Sequence, residues 1–184
     1  MRLIVAITGA SGAPIALRLL QELQIHEVHL IVTKPAERTI LHELGGSALL
    51  PATHRYSAEE IDAPIASSSF LFDAMVVVPC SVKTLAAIAH GYTENLVVRA
   101  ADIALRMKRP LILVVRETPL SLVTIENMRV ACLAGATIMP PIMGYYFAPE
   151  SVEEVTAFFA GKILDLLGLP HDLYKRWSGP PESR

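Results

Sequence analysis

Four short runs of this chain are apolar throughout but for His29 in the second, and each stops at a polar loop: residues 3–7, 28–32, 74–78 and 110–115. A strand that is apolar on both sides has no solvent face, so both sides of its sheet must be covered. Between and after these runs lie segments with helical spacing, at 15–23, 36–44, a stretch ending near 89, then 96–107, 125–134 and 151–167. Strand, loop and helix in repeated alternation predict an α/β fold, a three-layer doubly wound parallel sheet with helices on both faces. A further short strand is expected at 136–139, behind Gly135. Residues 46–69 are polar and broken by Pro51, Pro64 and three consecutive serines, and pieces of an edge strand are expected somewhere within them.

In such a sheet, ligands bind beyond the carboxyl ends of the strands. The loops there hold Gly9 to Pro14, Thr33-Lys34, Pro79 to Thr84, Arg116 to Pro119 and Pro140 to Tyr146. The first reads Gly9-Ala10-Ser11-Gly12-Ala13-Pro14, a strand-to-helix turn in which glycine permits a tight path and Pro14 suits the first helical turn. Free N–H groups at a helix start form an anion site. The Gly-x-x-Gly spacing falls short of a full dinucleotide fingerprint, so a plain turn and a phosphate turn both remain open.

The second loop offers Ser81, Lys83 and Thr84 to a phosphate, or equally a plain helix cap. Arg116-Glu117 ends a buried strand, where charge is costly unless it is paired or has a task. The pair is either a salt bridge closing the sheet edge or a guanidinium for an anion beside a carboxyl group that moves a proton. Arg99 and Arg106 lie seven apart on one helix, two turns along one face. Glu43 alone reads as a solvated helix acid, Trp177 as a staple for the tail, and Cys80 as a small core residue.

Composition narrows the function classes. The 184 residues suffice for one domain with a sizeable core. Hydrophobic residues make up 52% and charged ones 18%, a surplus of apolar surface that points to a homo-oligomer. A net charge of −2 with no basic block disfavours nucleic acid. The two cysteines, Cys80 and Cys132, form neither a disulfide framework nor a metal motif, which is ordinary cytoplasmic usage. The first apolar run is shorter than the ~7–15 residues of a signal core, and no uncharged apolar stretch reaches the ~18 residues of a membrane span. A protein without leader or membrane segment is expected.

Five segments in order carry a resemblance over essentially the whole chain: Gly-Ala-Ser-Gly-Ala at 9–13, Pro-Cys-Ser-Val-Lys-Thr at 79–84, Arg-Ala-Ala-Asp at 99–102, Arg-Glu-Thr-Pro-Leu at 116–120 and Ile-Met-Pro-Pro at 138–141. Together they resemble the UbiX-type flavin prenyltransferases. The resemblance implies a flavodoxin-like fold in a single flavin-binding domain, residues 1–184, with a tail from about 170 packing over the active site or a neighbouring subunit. It also implies a homododecamer with active sites between subunits, and transfer of a dimethylallyl group from its monophosphate to reduced FMN without a metal. The product, prenylated FMN, would serve a UbiD-type decarboxylase.

Carried over by position, the resemblance implies FMN contacts from Gly9, Ala10, Ser11, Thr33, Ser81, Val82, Lys83, Thr84 and Arg116. It implies catalytic roles for Glu117, Glu43, Ser11 and Trp177, and prenyl phosphate contacts from Arg99, Arg106, Tyr146 and Lys162. Arg106 stands where the family commonly has lysine, and Lys162 where it commonly has arginine. A planar fork and a point charge grip phosphate differently, which bears on the identity of the prenyl donor. Two alternatives share the fold: an FMN-dependent cysteine decarboxylase, whose Pro-Ala-Ser-Ala-Asn-Thr loop differs from residues 79–84 here, and a non-catalytic flavin carrier.

Overall fold

The computed structural model describes residues 1–46 and 48–179, so the last five residues of the expected tail lie outside the described residues. Six strands form one sheet in the order β3-β2-β1-β4-β5-β6, every neighbouring pair parallel. They are β1 (Arg2–Ile7), β2 (Glu27–Val32), β3 (His54–Ser57), β4 (Ala74–Cys80), β5 (Leu111–Val115) and β6 (Thr137–Ile138). The helices are α1 (Ala13–Glu22), α2 (Lys34–Leu44), α3 (Val82–Ala89), α4 (Leu96–Arg106), α5 (Leu122–Leu133) and α6 (Val152–Leu167).

The two faces of the sheet bury separate cores. Alternate strand residues Leu3, Val5, Ile7, Val76 and Val78 pack with Leu19, Leu20 and Phe159 under α1 and α6. Their neighbours Ile4, Ala6, Met75 and Val77 pack with Leu85, Val98 and Ile103 under α3 and α4. Two-sided burial explains why the central strands carry no polar alternation. β4 is buried along its whole length and runs through Pro79 to Cys80, two residues past the expected end at Val78. The irregular region supplies β3 and a 3-10 turn at Pro64–Ala66, and β3 is an exposed, polar edge strand of four residues. No helix among the described residues is long and apolar enough to cross a membrane.

The chain leaves β1 toward β2 and β3, then returns to place β4 on β1's other side. That reversal opens a crevice between the carboxyl ends of β1 and β4, where doubly wound folds bind their ligands.

Candidate functional site

A cleft of about 710 Å³ occupies this crevice, within the usual range for small-molecule sites. Its lining includes Gly9, Ala10 and Ser11 after β1, Thr33 after β2, Glu43 on α2, Ser81 to Thr84 after β4, and Arg116 and Glu117 after β5. Eleven candidate positions from five segments of sequence therefore meet at one place, all but Glu43 from the loops that the inventory names.

The β1–α1 turn is built to tight tolerances. Gly12 adopts φ 125°, which a side chain would strain, and a Cβ on Gly9 would come within 2.5 Å of the Pro35 Cβ. Thr8 is buried behind it; its Oγ1 donates to the Pro79 carbonyl at 2.8 Å and accepts from the Ser81 amide at 2.8 Å, tying the two Gly- and Ser-bearing loops together. The amides of Gly12 and Ala13, the free donors at the start of α1, both donate to Glu43 Oε2, at 2.9 and 2.8 Å. The anion site expected at this turn is thus filled by the chain's own carboxylate. Glu43 is half-buried there, and the reading of it as a solvated acid is corrected: a negative group at a helix N-terminus satisfies orphan donors and the helix dipole at once.

The opposite wall is different. Ser81 caps α3 by accepting from the Thr84 amide at 3.3 Å, and the exposed Lys83 ammonium reaches Glu94 at 3.1 Å. Thr33 caps α2 in the same way, accepting from the Ala36 amide at 3.3 Å. Arg116 and Glu117 are both exposed and make no ion pair among the described residues, so they do not close the sheet edge as a salt bridge. A second hollow of about 380 Å³ shares these two residues with the cleft and is lined otherwise by Thr118 and by apolar groups such as Leu120, Met128 and Pro140. Cys80 is fully buried, and burial pushes its thiol far above the nucleophile range, as its reading as a core residue requires.

The Flavoprotein family model matches residues 1–163. The flavin prenyltransferase UbiX of Thermoplasma acidophilum is 42% identical over 180 residues, covering 96% of this chain and 100% of that protein. This chain belongs to the flavin prenyltransferase family. Among solved structures, the dodecameric FMN-dependent UbiX-like decarboxylase of Escherichia coli O157:H7 is similar at 42% identity and a TM-score of 0.93, covering 97% of this chain and 100% of that one. AnUbiX (PadA1), solved in complex with FMN and dimethylallyl pyrophosphate, is 40% identical with a TM-score of 0.91 over 97% of both chains. The peptidyl-cysteine decarboxylase EpiD, at 16% identity and a TM-score of 0.64 over 90% of this chain and 97% of its own, shares the fold alone.

Five residues that the family resemblance singles out lie outside the cleft. Arg99 and Arg106 do share one face of α4, as their spacing predicts, and both contact Asp102, at 3.8 and 2.9 Å. Tyr146, Lys162 and Trp177 gather instead around the tail. Trp177, 65% exposed, stands edge-on to Tyr146 at 6.0 Å, and Lys162 Nζ sits 4.8 Å from the Tyr174 ring centroid. The Tyr174 hydroxyl beside it pushes the Lys162 ammonium above its ordinary value, against the opposing effect of burial. Asp165 holds this tail: its carboxylate accepts from Arg176 at 2.7 Å, from His171 at 3.1 Å and from the Tyr174 hydroxyl. Burial works to raise its pKa, but the three donors outweigh it and hold the group well below the usual carboxylate range.

Thr8, Thr39, Glu59 and Asn95 also line the cleft and were not singled out as site residues from sequence. Thr8 was detectable as the polar residue that ends the first apolar run. Glu59 was not, because it follows the edge strand that carries no strand pattern.

Proposed function

We propose that this chain transfers a dimethylallyl group from its monophosphate to reduced FMN, giving prenylated FMN for a UbiD-type decarboxylase. The observation that carries this reading is Arg116 and Glu117, adjacent, exposed and without ion-pair partners among the described residues, at the edge of a flavin-sized cleft. The lining suits FMN by its own chemistry. Hydroxyls of Ser11, Thr33, Ser81 and Thr84 ring an apolar floor of Ala10, Val82 and Val98, and Lys83 and Arg116 supply positive charge. With the α1 amides taken by Glu43, the Gly9 to Ser11 turn serves as a wall for the ring system, and the phosphate goes to the Lys83 and Arg116 side.

Bound reduced FMN supplies the nucleophilic ring atoms that accept the prenyl unit. Arg116 fixes the flavin, and Ser11 orients it by hydrogen bonding. Glu117 delivers a proton to the departing phosphate and takes one back as the new ring closes, while Glu43 holds the turn that carries Ser11. A monophosphate leaves readily only when cations meet it, a task for Arg99, Arg106 and Lys162. Trp177 and Tyr146 shield the allylic fragment from water and offer it aromatic faces.

These last residues lie away from the cleft of their own chain, so the complete site forms between subunits. Exposed apolar side chains support an assembly: Leu122, Val123 and Leu133 on α5, with Ile142, Tyr145 and Val152, are each more than 70% exposed. A homododecamer is the form we propose, with the tail of one subunit over the cleft of another, and we place the reaction in the cytoplasm on the cysteine usage. The test is to mix purified protein with anaerobically reduced FMN and dimethylallyl monophosphate and weigh the flavin. A gain of one prenyl unit is expected; no gain with this or a longer donor refutes the proposal.

A further inference from the structure

Outside the cleft, the described residues bring together one group of side chains suited to a metal: Glu27, His29 and His54, whose ligand atoms all lie within 4.8 Å of one another. We propose that these three residues form a zinc site at the amino-terminal end of β2 and β3, on the sheet edge opposite the cleft.

The fold itself creates the arrangement. Parallel pairing sets His29 directly against His54, and the two imidazoles stack with centroids 4.5 Å apart and planes 24° apart. Glu27 lies two residues before His29 on the same strand face, and its Oε1 is 3.0 Å from His29 Nε2. Ligand atoms around a tetrahedral ion with bonds of about 2.0–2.1 Å sit roughly 3.3 Å apart, so this pair is already at coordinating separation. His54 is exposed, free to swing inward, and gives the ion a path from solvent. Two imidazoles and one carboxylate are a zinc donor set, and they leave a fourth position for water.

The surrounding groups strengthen the case. The buried ring of His29 is fixed edge-on to Phe70 at 4.9 Å, and its Nδ1 meets the Tyr56 hydroxyl at 3.1 Å. Without an ion, Nε2–H donates to Glu27 Oε1; an ion displaces that proton, and Nδ1–H donating to the Tyr56 hydroxyl then leaves the Nε2 lone pair to the metal. Arg2 Nε stands 2.9 Å from Glu27 Oε2, which anchors one carboxylate oxygen and leaves the other toward His29. Outer partners of this kind orient metal ligands and are the usual complement of a working site. A structural role follows from position. β3 is a four-residue edge strand hydrogen-bonded only to β2, and a shared ion would fasten it there.

The test uses tag-free, chelator-treated protein titrated with Zn²⁺ against a chromogenic zinc chelator, with the thermal unfolding midpoint followed in parallel. One zinc per chain and a zinc-dependent rise in midpoint are expected for the wild type, with both lost in His54→Ala and in Glu27→Gln. His54 is exposed, so its replacement leaves the core intact. No zinc held against the chelator by the wild type, or the same zinc held by either variant, overturns the proposal.

Discussion

The two walls of the cleft treat charge in opposite ways. Behind the β1–α1 turn, the helix start that could attract an anion is already satisfied internally, because Glu43 takes the Gly12 and Ala13 amides. Across the cleft, Arg116 and Glu117 face solvent with no ion partner among the described residues. A glycine-rich turn is commonly taken to mark the phosphate site. Here it marks a wall held rigid from behind, and the reactive charges lie on the side whose loop has no glycine at all. The contrast predicts that substitutions on the open wall change chemistry and binding, while those of Glu43, which holds the closed wall from behind, change stability first.

The largest effect is expected at Glu117. Glu117→Gln should bind FMN normally yet lose prenyl transfer by about a hundred- to ten-thousand-fold, the usual worth of a positioned acid or base. Full activity in that variant removes Glu117 from the mechanism. Arg116→Ala should act one step earlier. Losing a charged hydrogen-bonding partner costs ~1.5–3 kcal/mol, or about ten- to a hundred-fold in the flavin Kd, readable by fluorescence titration. Unchanged flavin affinity would place the phosphate on the closed wall after all.

A mixing experiment sharpens where the remaining groups act. Glu117→Gln and Trp177→Ala chains should each be nearly inactive alone. Co-assembled, they should recover a fraction of wild-type activity, because some sites then draw an intact Glu117 and an intact Trp177 from different subunits. Failure to recover would return Trp177 to the role of a staple for its own tail.

What the sequence made readable follows from the same physics. The central strands were visible because burial on both faces leaves almost only apolar residues, His29 of β2 excepted, whereas β3 was not, since His54 and Arg55 are exposed at a sheet edge. The loops after each strand could be named in advance because chain order fixes where parallel strands end. Glu43 could not be placed, because its partners lie 30 and 31 residues earlier and no local pattern reports a contact of that range. The same holds for His29 and His54, which lie 25 residues apart in sequence and meet only through strand register. Glu43 is also where the closed wall can be opened. Glu43→Gln keeps the shape but removes the charge facing α1, and should cost about 1 kcal/mol in urea unfolding. A loss of activity far exceeding that stability change would show that Glu43 joins the chemistry as well.

The smallest effect is expected at Asp165, a second carboxylate satisfied by its own chain. Its pKa in the folded protein lies below the unfolded value of about 3.9, so the folded state favours the ionised form. The resulting stabilisation of the tail is fully present above that unfolded value and is lost only as pH falls toward the depressed folded one. The fluorescence of Trp177, the chain's one tryptophan, should therefore stay constant from neutral pH down to about 4 and change only in stronger acid. Asp165→Asn keeps an oxygen for Tyr174 but loses the charge that Arg176 pairs with, so its spectrum at neutral pH should already resemble that of the acid form. A transition in the wild type between pH 5 and 7 would mean that a histidine, with His171 the one in contact, and not the carboxylate, sets the docking of the tail.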